Sequence, residues 1–551
     1  MSVEPAHAEA DRAGRTRHAD GTAVAKGLKG GAIGLLSSVV IGMSSTAPAY
    51  SLAATLGFVV IAVGIKAPAM MLLAFIPMYF AAVAYSELNK REPDCGTTFT
   101  WAARTFGPRT GWMGGWGIIA ADVIVMASLA QVAASYGYQL FGLDSLANST
   151  LWTTVAGIGW IVVMTYICYR GIELSARIQY VLLSVEVVIL AVFAAFALVH
   201  VYNGTAPAGS LHPSLSWLWP SGVSWSAGTT GVLLAIFIYW GWDTAVAINE
   251  ETRDPQKTPG RAAIISTVLL LATYAIVSIA TVAFAGVGTK GIGLGNADNA
   301  SDVFNAMSDS VFGSSGVGKV LGSLLIISVL TSASASTQTT ILPTARAALS
   351  MGAYRAIPQA FARIHPRYLT PTVSTLWMGA VSIAFYVGLT AVSTNVLADS
   401  VAAVGILIAF YYGMTGFVCA WEFRHDLHTR RDVIMRLVIP LLGGILLLGV
   451  FVLACIQYAD TAYGNTVLFG VGGVFVIGIG SLVFGAVLMG IYNAIAPAYF
   501  RGETLRVRPS DLLLEPGEGP TLRLPDSYEE TVIAPDLSNL PPGREPYDPR
   551  L

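Results

Sequence analysis

The sequence contains little charge. Asp, Glu, Lys and Arg make up 12% of the 551 residues, about half the share that is usual in a soluble chain. Intrinsic disorder needs high charge and low hydrophobicity, so the body of the chain is not disordered. Lys and Arg number 31 against 33 Asp and Glu. The absence of a basic excess argues against a nucleic-acid partner.

The residues that usually build metal and catalytic sites are also scarce. The four cysteines form no C-x-x-C pair, and none of the seven histidines lies inside an apolar run. The stretch GSSGVGKV, Gly313 to Val320, resembles a phosphate loop, but it has Val320 where Ser or Thr should hold magnesium. We therefore expect no enzyme activity, no metal and no cofactor.

Apolar runs dominate what is present. Hydrophobic residues make up 54% of the chain and the mean hydropathy is +0.64. A membrane-spanning helix needs about 20 apolar residues, because each residue rises 1.5 Å through a core of roughly 30 Å. Twelve runs meet this length: Gly31–Val60, Ala67–Tyr85, Trp112–Phe141, Trp152–Tyr169, Arg177–His200, Ala227–Asn249, Arg261–Ala285, Val320–Arg346, Val373–Thr390, Ser400–Trp421, Ile434–Tyr458 and Thr466–Asn493.

The positive charges predict the orientation. With twelve spans both termini lie on one side, and that side then holds 28 of the 31 Lys and Arg residues. Only Lys66, Lys290 and Lys319 lie on the other side. Because Lys and Arg concentrate in cytosolic loops, both termini are predicted to be cytosolic, in a multi-pass protein of the cytoplasmic membrane. The polar ends, residues 1–28 and 496–551, are predicted to be mostly disordered tails.

Two spans have interiors that are unusual for a plain helix. The first contains GMSSTAPAYS, from Gly42 to Ser51, with Pro48 near mid-depth. The sixth contains FIYWGWDTA, from Phe237 to Ala245, with Gly241 between two tryptophans. A kinked helix would explain either one alone. Since each opens a block of five spans, the pair together predicts an inverted repeat with broken helices around a mid-membrane binding site.

A broken helix is suited to binding a zwitterion. The N-terminus of a half-helix offers N–H groups and a positive dipole to a carboxylate, whereas the C-terminus of a half-helix offers carbonyls to an ammonium. An α-amino acid carries both charges. An amino acid or a related amine is therefore the predicted small-molecule substrate.

Three stretches resemble the amino acid–polyamine–organocation permeases. They are YWGWDTAVAINEETRDPQKTPGR from Tyr239 to Arg261, TARAALSMGAYRAIPQAFARIHPRYLTP from Thr344 to Pro371, and GIELSARIQ from Gly171 to Gln179. The resemblance implies an all-α, LeuT-like fold of twelve transmembrane helices. It would place a five-helix repeat at 29–200, its inverted partner at 225–422 and two extra helices at 432–495.

The chain departs from that family in two places. Its first break reads Ser44 to Tyr50, SSTAPAY, where the family commonly has Gly-x-Gly-Ile-Phe. Many proton-linked members have a Lys in the fifth span, roughly where this chain has Glu186. The departures concern the carboxylate pocket and the coupling ion, respectively.

Three acidic residues, Asp122, Glu186 and Asp243, fall inside predicted spans. Glu186 lies about 14 Å into its helix and Asp122 about 15 Å, by helix rise. Such carboxylates usually face a cavity or a partner. Each could carry a proton, hold a cationic substrate or a sodium ion, or simply accept hydrogen bonds. Coupling to sodium is less favoured than coupling to protons.

The hydroxyl-rich run TSASASTQTT, from Thr331 to Thr340, permits either close helix packing or ligand contacts. The predicted substrate-binding residues are Ser44, Ser45, Thr46, Ala47, Tyr239, Trp240, Gly241, Trp242 and Asp243, with the three aromatic ones as a candidate gate. The predicted coupling-ion residues are Glu186 and Asp122.

The sequence thus predicts a secondary active transporter of amino acids that works by alternating access, with proton coupling or exchange. A carrier of polyamines or other cations with the same fold is the alternative within this class. A membrane receptor that senses an amino acid without moving it is the alternative from another class, although no cytosolic output domain is evident.

Overall fold

The computed structural model describes residues 26–393, 395–463 and 466–506. Within these ranges the chain is almost entirely helical, and its only named strands are the two-residue pair Val467–Leu468 (β1) and Val471–Gly472 (β2), which run antiparallel. Ten helical segments are long and apolar enough to cross a membrane. The expected all-α membrane architecture is therefore confirmed.

Nineteen α-helices are present in the described residues. The first nine are α1 Leu35–Thr46, α2 Pro48–Val63, α3 Ala67–Arg91, α4 Thr98–Phe106, α5 Pro108–Leu140, α6 Asp144–Ala147, α7 Thr150–Arg170, α8 Ile172–Tyr202 and α9 Trp225–Ile238. The others are α10 Thr244–Ala247, α11 Thr258–Ala285, α12 Val303–Phe312, α13 Gly316–Ala353, α14 Thr372–Val392, α15 Val396–Glu422, α16 Arg430–Asp432, α17 Ile439–Ala459, α18 Gly473–Ile495 and α19 Pro497–Phe500.

Both segments that were expected to be broken are interrupted. The first candidate span, Leu35–Arg91, is 57 residues long and contains α1, α2 and α3. The helix α9 has only 14 residues, too few to cross a membrane alone, and the chain continues through a turn into the short α10. The break after Thr46 and the break after Ile238 lie inside the two segments that the sequence singled out.

The centre of the bundle is formed by α5, α13 and α15. Helix α5 packs against both α13 and α15, and α13 also packs against α8. In the most apolar stretch of α5, 94% of the residues are buried within the protein, compared with 22% in α18. The last two long helices, α17 and α18, therefore lie at the periphery, with their apolar side chains turned outward.

The last predicted span begins later than expected. The sequence predicted a helix over Thr466–Asn493, but the first residues of this run form the β1–β2 hairpin and α18 covers Gly473–Ile495. Phe469 and Gly470 connect the strands with φ of 54° and 76°. Two consecutive residues with positive φ are typical of the tight turn that fits a twisted hairpin.

The packed part of the chain extends beyond the predicted tail boundaries. Lys26 and Leu28 are buried at the N-terminal side. On the C-terminal side Tyr499 is buried, and its hydroxyl donates to the carbonyl of Pro108 at 2.9 Å. The predicted tails are therefore too long at both ends. Residues 1–25 and 507–551, which were also predicted to be disordered, lie outside the described residues.

Candidate functional site

Pro48 and Ala47 produce the first helix break. Ala47 has φ of 47° and ends α1, and Pro48 is the first residue of α2. Proline lacks an N–H and its ring clashes with the carbonyl four residues earlier, so α1 cannot continue through it, whereas the first position of a new helix suits it. The left-handed conformation costs an alanine roughly 1–2 kcal/mol.

Glu186 lies at the N-terminus of α2. Its Oε1 accepts the backbone N–H of Ala49 at 2.6 Å and the hydroxyl of Ser332 at 2.7 Å. The same Ser332 Oγ accepts the N–H of Tyr50 at 3.2 Å. Glu186 is fully buried. A residue of α8 therefore caps the half-helix α2, together with a hydroxyl from the Ser/Thr-rich part of α13.

Gly241 forms the second break. It has φ of 118°, a conformation that residues with a side chain rarely adopt. A Cβ at this position would lie 2.7 Å from the carbonyl oxygen of Ser45. Beside this contact the hydroxyls of Ser45 and Thr244 are 2.9 Å apart. The two breaks are thus in direct contact, and the residues predicted to bind substrate lie together.

The aromatic residues of the second break pack inside the protein. Trp242 is fully buried and forms a cluster with Tyr85 and Tyr412, whose ring centroids lie 5.3 and 5.0 Å from its own. Tyr239 is also buried and packs edge-on against Tyr274 at 5.0 Å. The break is therefore surrounded by rings from α3, α11 and α15, which the sequence analysis did not single out.

Asp243 is held by a chain of hydrogen bonds. Its Oδ2 accepts the hydroxyl of Tyr411 at 3.1 Å, and that hydroxyl accepts the indole N–H of Trp240. Asp243 is only 6% exposed. The adjacent pair Tyr411–Tyr412 in the middle of an apolar run was the sequence feature that could have indicated these partners.

Asp122 has a separate environment. It lies on α5 and accepts the hydroxyl of Thr344 on α13. No break residue is among the hydrogen-bond partners found for it in the described ranges. The structure thus brings Glu186 and Asp243 to the two breaks, while Asp122 joins the neighbouring pair of central helices.

The centre of the bundle carries acidic groups without basic partners. In the described part of the chain, the hydrogen-bond partners of Asp122, Glu186 and Asp243 are hydroxyls and a backbone N–H. Several buried polar atoms at the breaks also lack a partner in these ranges, although such atoms are normally paired. They are Ser44 Oγ, Glu186 Oε2, Tyr239 OH and Trp242 Nε1.

A second polar cluster lies at the predicted cytosolic end of the bundle. The buried Lys26 ammonium lies 2.9 Å from Asp94 Oδ2 and 2.5 Å from Glu250 Oε1. Burial opposes the charged form of Asp94, but the Lys26 ammonium and hydrogen bonds from Gly96 and Ser350 outweigh it and lower the pKa of the carboxyl to about 2. Asp94, Cys95 and Glu250 have the spacing of metal ligands, yet the Lys26 ammonium already supplies the positive charge between them.

Neighbouring contacts tie the N-terminal segment to the loop after α10. Ile33 donates its N–H to the Glu251 carbonyl at 3.0 Å and accepts the N–H of Arg253 at 2.9 Å. The Glu251 carboxylate in turn binds Arg346 through two hydrogen bonds of 2.7 and 2.9 Å. The sequence analysis placed Lys26 in a disordered tail and missed this cluster, because a single Lys in a polar segment gives no sign of its partners.

Comparison with known proteins agrees with this architecture. The family model described as "Amino acid permease" matches residues 33–491. The chain belongs to this family. An uncharacterized transporter of Mycobacterium tuberculosis is 28% identical over 80% of this chain and 89% of its own length.

Two other relatives have named substrates. A branched-chain amino acid permease of Lactococcus lactis is 28% identical over 38% of this chain and 47% of its own length. A low-affinity putrescine importer of Escherichia coli is 23% identical over 68% and 77%, respectively. The expected membership of the amino acid–polyamine–organocation superfamily is confirmed, and the permease is a multi-pass membrane protein whose relatives point to transport of a small molecule rather than to enzymatic catalysis.

Proposed function

We propose that this permease is a secondary active transporter that carries amino acids or related amines across the cytoplasmic membrane by alternating access. The contact between the two helix breaks is the observation that carries the proposal. Gly241 approaches the carbonyl of Ser45, and Ser45 meets Thr244, in a region of unpartnered buried polar atoms. Broken helices that meet inside a bundle are a common way to build a substrate site at mid-membrane.

The proposal counts twelve membrane spans. The helical run Leu35–Arg91 supplies two of them, and α9 with α10 supplies the sixth. The first repeat would then cover 29–200 and the second 225–422, followed by α17 and α18 within 432–495. The distribution of Lys and Arg supports a cytosolic position for both termini.

We propose Glu186 and Asp122 as the residues that respond to the coupling ion. Both are buried carboxylates without a basic partner among the described residues. Burial of a carboxylate in a membrane protein favours exchange of a proton over a permanent charge. A proton is therefore the first candidate ion, and sodium is the second.

The acidic centre supports a second candidate, a carrier of amines or other organic cations. Asp243 and Glu186 would attract an ammonium. Among the described residues, none of their hydrogen-bond partners is a Lys or Arg that could bind the carboxylate of a substrate. Purified protein in liposomes distinguishes the candidates when uptake of amino acids and amines is measured under imposed proton or sodium gradients. We expect gradient-driven accumulation of at least one such compound. Specific binding without any uptake would instead support the receptor.

A further inference from the structure

The N-terminus of α2 has no unused backbone donor. Pro48 has no N–H, and the next three residues donate to acceptors within the protein. These acceptors are Glu186 Oε1 for Ala49, Ser332 Oγ for Tyr50 and the Ala47 carbonyl for Ser51. Free N–H groups are what makes a helix N-terminus an anion site. In this protein, that capacity is already used.

Glu186 takes the place that the carboxylate of a substrate would have. Its side chain puts a carboxylate at the positive end of a 16-residue half-helix, where an anion is favoured. The residue is fully buried, and its second oxygen, Oε2, has no partner among the described residues. When Glu186 is ionised, this oxygen is an acceptor that an ammonium group can use and a carboxylate cannot.

The second break offers no helix N-terminus that could replace that of α2. Helix α10 has four residues, too few for an anion site of its own. Asp243 lies directly before it, with Oδ2 accepting the Tyr411 hydroxyl. The carboxylate of a substrate at this position would meet a carboxylate of the protein. Like charges brought together in a desolvated site repel each other strongly.

The surroundings of the breaks are suited to a cation. Trp242, Tyr85 and Tyr412 form a cluster of rings whose centroids are 5.0 to 5.5 Å apart. Aromatic faces attract organic cations, and carboxylates supply hydrogen-bond acceptors to an ammonium. Acceptors and aromatic rings are therefore provided, whereas the backbone donors at the N-terminus of α2 are occupied.

We infer that Glu186 is a built-in carboxylate that fills the anion position of the first break and makes the permease select amines that lack an α-carboxylate over zwitterionic amino acids. The inference rests on the proposed transport function and names the substrate class of the same site. Primary amines and diamines are the chemical class that fits. Glu186 thus acts as a specificity-determining residue.

Matched pairs of compounds that differ only in the carboxylate test the inference on the unmodified protein. Binding of cadaverine is compared with binding of L-lysine, and binding of 3-methylbutylamine with that of L-leucine, by calorimetry in detergent. We expect each amine to bind at least about tenfold more tightly than its amino acid, since an uncompensated polar group in a binding site costs this much or more. Equal or tighter binding of the amino acids would overturn the inference.

Two substitutions at Glu186 separate the effect of its hydrogen bond with the Ala49 N–H from the effect of its negative charge. Glu186→Ala frees the N–H of Ala49, so the variant should lose the preference for amines by about tenfold, and acetate should stabilise it against heat but not the unmodified protein. Glu186→Gln keeps an oxygen that accepts this N–H. It should therefore stay insensitive to acetate, whereas the loss of the negative charge should weaken its preference for amines.

The outcomes also distinguish this inference from the proposed function. Uptake of amino acids and amines with equal apparent affinity would contradict the role of Glu186 in selection. The proposed transport function would still stand. Failure of every compound to accumulate in liposomes, with folded and monodisperse protein, would overturn the transport function and the inference together. An unchanged preference in Glu186→Ala would show that some other group rejects the carboxylate.

Discussion

Gly241 is the residue at which the two helix breaks touch. Its φ of 118° and the position of a Cβ, 2.7 Å from the Ser45 carbonyl oxygen, exclude a side chain without movement of the backbone. We expect Gly241→Ala to abolish uptake or reduce it by at least about tenfold, because strain of this kind costs on the order of 1–3 kcal/mol and separates the breaks. The measurement is uptake into liposomes at matched protein content.

Gly137 provides the control for that substitution. It lies in α5, has a helical conformation, and a Cβ there would meet no heavy atom within 4 Å. Gly137→Ala should therefore transport normally and be slightly more stable, since alanine favours a helix by roughly 1 kcal/mol over glycine. Normal uptake by Gly241→Ala would remove the contact between the breaks from the proposed site.

Glu186 allows a prediction about coupling. Glu186→Gln preserves the acceptor for the Ala49 N–H but cannot release a proton. We expect this variant to retain substrate binding, to lose accumulation driven by a proton gradient, and to show a flattened dependence of uptake on pH. Counterflow exchange and gradient-driven uptake, measured on the same liposomes, report the two properties separately.

Two results would contradict the coupling role. Undiminished proton-driven accumulation in Glu186→Gln would make Glu186 a structural cap of α2. Loss of a sodium-driven uptake in the same variant would make it a ligand of sodium instead. Asp122 would then remain as the second buried carboxylate to be tested, by Asp122→Asn in the same assay.

The breaks themselves could be predicted from residue types, but their partners could not. Pro48 restricts the backbone and Gly241 gives it extra conformational freedom, and both effects can be predicted from a single sequence. The contact of Glu186 with Ala49 and Ser332 depends on how α8 and α13 are rotated relative to α2. The rotation of each helix about its axis is decided by packing across the bundle. Buried membrane helices have low amphipathicity, so the sequence does not indicate this rotation.

At the scale of elements, hydrophobic length predicted long apolar helices, of which ten candidate spans are found in the described residues, but it did not predict turns. The run Thr466–Asn493 was continuous in hydropathy, yet it contains the β1–β2 hairpin before α18 begins at Gly473. A glycine-rich, β-branched stretch can satisfy its backbone either as helix or as hairpin, and hydropathy does not discriminate between them. The same limit explains why the ordered residues after α18 were assigned to a tail.

The short helix α19 packs part of the C-terminal segment onto the bundle. Tyr499 stacks on Phe99 with ring centroids 5.9 Å apart, and its hydroxyl binds the Pro108 carbonyl. Deletion of residues 507–551 should therefore leave thermal stability and uptake unchanged, because this Pro-, Glu- and Asp-rich sequence has no apolar periodicity. Deletion of residues 497–551 should lower stability, since a buried aromatic side chain is worth about 3–5 kcal/mol.

Thermal unfolding in detergent and uptake by both truncated forms check this prediction. Loss of uptake in the shorter deletion at normal stability would show that the last 45 residues, 507–551, take part in transport. Equal stability of the two forms would show that the contacts of Tyr499 do not secure the bundle.

At the scale of the whole molecule, the Lys26 cluster joins distant parts of the chain at the predicted cytosolic end. Lys26 comes from the N-terminal segment, Asp94 from the connection between α3 and α4, and Glu250 from the segment after α10. Three separate parts of the chain thus meet around one buried ammonium. Removing one partner of a buried, hydrogen-bonded charge set is strongly destabilising for the arrangement that contains it. If the permease alternates between two arrangements, this contact must break whenever that end opens.

Cys95 is a native reporter of this opening. Its thiol is fully buried beside the Lys26 ammonium, so alkylation measures how often the end opens. In a background where the other three cysteines are replaced by alanine, we expect Lys26→Met to speed the reaction of Cys95 with a maleimide by at least about tenfold, a shift of roughly 1.4 kcal/mol in the opening equilibrium. Lys29→Met is the matched control, because the ion pair of Lys29 with Glu173 is largely exposed and such pairs contribute at most about 1 kcal/mol. Equal alkylation rates in the two variants would mean that the Lys26 cluster only packs the chain and does not hold this end closed.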